Sequence, residues 1–119
     1  MRLRVVITAI VIGCLLFSGG ASADLAGKLE RLVGYTILAS KTIKGWYDDD
    51  EREDGAFKGC RHGRVILFTD GTGLTCAEYG YMYAYRPTAI ILGKRIDIGG
   101  RSFTDFKMVV EDEVYDMRR

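Results

Sequence analysis

Residues 64–77 read Arg64-Val65-Ile66-Leu67-Phe68-Thr69-Asp70-Gly71-Thr72-Gly73-Leu74-Thr75-Cys76-Ala77, and this stretch decides the fold. Two strand-forming runs flank an Asp-Gly dipeptide. A two-residue hairpin turn needs positive φ at its central positions, which Asp-Gly tolerates, and its twist suits an antiparallel pair. The reading predicts a hairpin of 64–69 with 72–77. A two-residue turn sets Thr69 opposite Thr72, Leu67 opposite Leu74 and Val65 opposite Cys76. One face then carries Val65, Leu67, Leu74 and Cys76, and the other Ile66, Phe68, Thr75 and Ala77. Phe68 would lie over the bare Gly73. Val65 to Phe68 is apolar on both faces, as in a central strand.

Outward from the hairpin the strand signals continue. Thr72 to Arg86 is expected to run on as one strand with a bend at Gly80, ending at Pro87, which cannot donate to a ladder. Ala89–Leu92 and Ile96–Ile98 read as short strands before a Gly99-Gly100 turn. Phe106, Met108 and Val110 alternate in the last clear strand, and Asp116–Arg119 reads as a charged tail. Upstream, Tyr35 to Trp46 is β-rich. Asp24–Gly34 carries Leu25, Leu29, Leu32 and Val33 at helical spacing, with Gly34 as the stop. The expected fold is mainly β: a small antiparallel β-barrel or roll of five to six strands preceded by one short N-terminal helix.

The chain of 119 residues has room for one such domain. Its 17 Lys+Arg stand against 16 Asp+Glu, a formal charge of +1. That balance excludes a wholly disordered chain and a nucleic-acid binder working by bulk positive charge.

Residues 1–23 read as a cleaved secretory signal peptide. Arg2 and Arg4 open it, Val5–Phe17 is the apolar core, and Ala21-Ser22-Ala23 is the small-residue cleavage site. The core is short for a membrane span, so no stable membrane insertion is expected after cleavage. The rival signal is Val11-Ile12-Gly13-Cys14, which matches a bacterial lipoprotein box and would anchor the chain at Cys14. Cleavage after Ala23 is preferred because the small-residue site follows the end of the apolar run. The mature domain is then 24–119, secreted or periplasmic. Absence of Asn removes every N-glycosylation acceptor, compatible with a bacterial source.

Export leaves Cys60 and Cys76. An even count in a short exported chain predicts a disulfide between them. For that bond the chain must leave the hairpin ladder before Cys60, and Gly59 and Gly63 permit the departure.

Three features are candidates for function. Tyr79, Tyr81, Tyr83 and Tyr85 alternate with Gly80, Met82 and Ala84. In a strand they form one aromatic row, which is either core or a recognition platform with Trp46 and Tyr47 as neighbours. Residues 48–54 hold six acids and Arg52. They fail the calcium-loop template, because Arg52 takes a ligand position whether the count starts at Asp48 or Asp50. This segment reads as a solvated loop or as the contact loop of an enzyme inhibitor. His62 is the only His, too few ligands for a zinc site. Neither Ser40 nor Ser102 lies in a nucleophile elbow, and no spacing singles out a carboxylate pair for hydrolysis. No cofactor motif is present.

The functional expectation is an exported, non-catalytic binding module, stapled by Cys60 and Cys76, that contacts a protein, peptide or glycan of the cell envelope through the Tyr strand. An inhibitor acting through loop 48–54 is the alternative, and a carboxylate-dependent hydrolase ranks last.

Overall fold

The computed structural model describes residues 23–119. The expected signal segment, apart from Ala23, and the alternative lipoprotein box with Cys14 lie outside the described residues. The described residues fall into two units, 23–31 and 32–119. In the first, α1 spans Ala23–Glu30, and its Leu25 and Leu29 are about half exposed. The helix stops short of the expected Gly34, which is reached through a turn.

The second unit is mainly β. Its strands are β1 (Thr36–Tyr47), β2 (Arg52–Asp54), β3 (Ala56–Phe57), β4 (Val65–Phe68), β5 (Gly73–Cys76), β6 (Ala84–Tyr85), β7 (Thr88–Ile98), β8 (Arg101–Val110) and β9 (Glu113–Arg118). Six of them close an antiparallel ring in the order β1-β4-β5-β9-β8-β7, with β7 returning to β1. β1 serves two neighbours, pairing with β7 over Thr36–Thr42 and with β4 over Ile43–Tyr47. Register shifts at Ile37/Ala39 and Ile43/Gly45 let it bend from one to the other. The core inside the ring includes Ile43, Trp46, Ile66, Phe68, Met108, Val110 and Met117.

The hairpin forms, but its register lies one residue from expectation. Val65 faces Thr75, Ile66 faces Leu74 and Leu67 faces Gly73. The loop holds three residues, because Phe68 N–H donates to Thr72 O at 2.9 Å and Gly71 N–H to Phe68 O at 3.0 Å. Gly71 has φ +89°. A type I turn closed by a left-handed glycine gives this loop, and Asp70 braces it by accepting from Thr72 N–H at 3.0 Å. A one-residue slip exchanges the faces of a strand. Ile66, Phe68, Leu74 and Cys76 therefore point inward together, and Gly73 is covered by Val65 and Leu67 instead of Phe68.

Three other expectations are corrected. The strand expected over 72–86 ends at Cys76, because the chain there leaves β4 to reach Cys60. The two segments at 89–98 are one continuous strand, β7. The charged tail is the strand β9, needed between β5 and β8 to close the ring, with Met117 buried opposite Cys76 and Phe106.

Candidate functional site

Cys60 and Cys76 are bonded, with Cα atoms 5.5 Å apart and both side chains buried. The bond sits at the root of residues 77–85. From there the chain runs on without a regular ladder. Cys60 N–H donates to Gly80 O at 2.7 Å, and Gly80 N–H donates to Cys60 O at 3.0 Å. Further on, Phe57 pairs with Ala84 and Ala56 with Tyr85, and Arg86 N–H donates to Gly55 O at 2.9 Å. Gly59 makes the crossing possible. It has φ +82°, and a Cβ there would lie 2.0 Å from Gly80 O; no other residue fits.

This ribbon keeps the alternation of a strand. Gly80 lies against the Tyr115 ring, where an added Cβ would come within 3.0 Å. Met82 packs on the core and Ala84 is buried. The intervening rings face outward: Tyr79 is 75% exposed, Tyr81 68%, Tyr83 57% and Tyr85 72%. At the far end Pro87 O accepts from Ile43 N–H at 2.9 Å. Between them Arg86 holds φ +42°, an uncommon value for a residue with a side chain.

Trp46 does not belong to this surface. It is 2% exposed, with the Arg64 guanidinium 3.8 Å over its ring. The expectation that Trp46 joins the row fails because its strand face turns into the ring. Tyr47, on the opposite face of β1, is exposed and borders a different cleft, of about 400 Å³, with Asp48–Arg52.

The acidic segment is organised around Asp48. Its carboxylate accepts from the N–H groups of Asp50 and Glu51, each at 3.0 Å. It also accepts from Arg64 Nε at 3.2 Å and Nη2 at 3.1 Å. Partial desolvation pushes its pKa up, but the two backbone donors and the Arg64 guanidinium together outweigh that and hold it below the usual carboxylate value. Residues 52–54 of the same segment form β2, so the whole stretch is not the loop expected. Arg64 is the residue that sequence reasoning missed. It stands just ahead of an apolar strand, and nothing local reveals that Trp46 and Asp48 flank it.

Elsewhere Lys41 Nζ donates to Asp70 at 2.7 Å. That ammonium and the Thr72 hydroxyl hold the Asp70 carboxyl far below its usual value. Tyr35 OH donates to Asp105, and Lys107 pairs with Asp116. Burial and the Asp105 bond raise the Tyr35 pKa. His62 is exposed in the turn before β4. Among the described residues no three His, Cys, Asp or Glu side chains converge to hold a metal, and no helix is long and apolar enough to cross a membrane. Comparison with protein families, curated proteins and solved structures found no match.

Proposed function

We propose that the chain is an exported, non-catalytic binding module whose contact surface is the tyrosine ribbon 79–85. The observation that carries this reading is the exposure of four rings in one alternating row on a backbone tied down at both ends. Tyr suits such a surface because it presents a large amphipathic ring with few rotatable bonds, so little entropy is lost on contact. Exposed apolar area of this kind marks interaction surfaces more often than chance placement does. The Cys60–Cys76 bond supports an oxidising compartment, outside the cell or in the periplasm. The partner is a protein, peptide or glycan of the cell envelope.

A random-peptide display library and an immobilised glycan array, each screened with the wild type and with a variant carrying Tyr→Ala at 79, 81, 83 and 85, test this. Ligands retained by the wild type and lost by the folded variant are expected. A set of ligands bound equally by both would overturn the reading.

A further inference from the structure

We infer that the Tyr79–Tyr81 end of the ribbon is a carboxylate-binding subsite, and that the partner is an acidic polypeptide segment. The inference rests on the ribbon being the contact surface. A cleft of about 100 Å³ lies at that end, lined by Lys58, Cys60, Arg61, Arg64, Tyr79 and Tyr81. Its lining holds three cations and no carboxylate.

All three cations have an acidic neighbour, but they are not equally engaged. Lys58 Nζ lies 3.1 Å from Glu53, and Arg64 holds Asp48. Arg61 differs. Asp48 already accepts four hydrogen bonds, two from the backbone and two from Arg64, which fill the acceptor positions of a carboxylate. Arg61 Nη1 stays 3.9 Å from Asp48, with 53% of its side chain exposed, and makes no side-chain hydrogen bond among the described residues. A guanidinium offers a planar fork of donors that matches a carboxylate. On its other side Arg61 borders a cleft shared with Asp48, Asp49, Asp50 and His62. The carboxylates there repel an incoming anion, so the tyrosine side is the one open to it.

The backbone beside the cleft selects the source of the carboxylate. Tyr81, Met82 and Tyr83 lack backbone hydrogen bonds among the described residues. An extended polypeptide brings donors and acceptors for such groups.

Three probes are titrated into the purified, disulfide-bonded protein: a synthetic peptide of alternating Glu and Val, its Gln-for-Glu analogue, and an oligogalacturonate. Wild type, Arg61→Gln and Tyr81→Ala are compared, with thermal melts confirming that each is folded. The Glu peptide is expected to bind about tenfold or more tightly than the Gln peptide, the range for a hydrogen bond to a charged group. Arg61→Gln should erase that difference and leave the Gln peptide's affinity unchanged. Equal binding of Glu and Gln peptides overturns the subsite, and the ribbon reading then survives only if Tyr81→Ala weakens both. Preference for the galacturonate, or no binding of either peptide at millimolar concentration, also overturns it.

Discussion

Single Tyr→Ala changes along the ribbon separate a surface row from a core row. Take Tyr83, the least exposed of the four at 57%, so that less than half its surface is covered. With ~200 Å² for a Tyr side chain, the covered part is at most about 85 Å². At ~25 cal/mol per Å² this is about 2 kcal/mol. That figure is an upper bound, because the unfolded chain already covers part of its apolar area and Ala keeps its Cβ. Tyr79, at 75% exposure, has a bound of about 1.2 kcal/mol by the same factor. The expected loss is therefore ~1 kcal/mol or less for each ring, near the range of ordinary surface substitutions. In a domain this small it lowers Tm by about 4–8 °C at most. The internal control is Phe57, fully buried beneath the ribbon with its ring 5.6 Å from that of Tyr115 in an edge-on contact. Phe57→Ala should cost about 3–5 kcal/mol. Thermal and urea melts of the five variants read both quantities. Losses of ~3 kcal/mol or more at two of the four tyrosines would place those rings in the core and remove the contact surface.

Three further outcomes are expected. Cys60→Ala/Cys76→Ala, which opens a loop of sequence separation 16, should lower stability by ~3 kcal/mol; two free thiols in protein purified without reductant would refute the bond. Tyr115→Phe should raise stability by about 1 kcal/mol, because the buried Tyr115 hydroxyl has no hydrogen-bond partner among the described residues and removing it relieves desolvation; a lower urea midpoint would refute this. Asp48 and Asp70 both have depressed pKa values in the fold, so their stabilisation is present above the unfolded value of about 3.9 and is lost as pH falls through the lower folded values. Urea midpoints should hold from pH 7 to about 5 and drop below about 4; Asp48→Asn should lower the midpoint at pH 7 and flatten that drop, and an unchanged acid limb in the variant would contradict the Asp48 contacts.

The sequence pattern identified the hairpin, the strand class and the disulfide because each is encoded by neighbours or by simple counting. The register differs from the expected one because Asp70-Gly71 fits two loops. In a two-residue turn it supplies both central positions. In the three-residue loop found here Asp70 braces the turn through Thr72 N–H and Gly71 alone takes positive φ. Local propensity hardly distinguishes these. Burial does, since only the observed register turns Ile66, Phe68 and Cys76 inward together, and Cys76 must face inward to meet Cys60. Likewise Asp116–Arg119 reads as a tail because its charges are local, whereas the need for β9 is not: closing the ring requires a partner for both β5 and β8.

The tyrosine row shows the same limit at the candidate site. Its alternation is plain in Tyr79-Gly80-Tyr81-Met82-Tyr83-Ala84-Tyr85, and the alternation survives in the structure without a regular ladder. Which face turns outward depends on what lies beneath. Tyr115, brought in by β9, fills the space under Gly80, where an added Cβ would lie 3.0 Å from its ring. Met82 packs on the core and Ala84 is buried beneath the same stretch. Large rings therefore cannot take the inner positions, and the small residues do. The small residues at alternate positions are the local trace of that distant ring: a strand whose inner face is reduced to Gly, Met and Ala is one that another aromatic already occupies from below. Had Tyr115 been a small residue, the same row could have turned inward to fill the ring, and the exposed face would have been the featureless one.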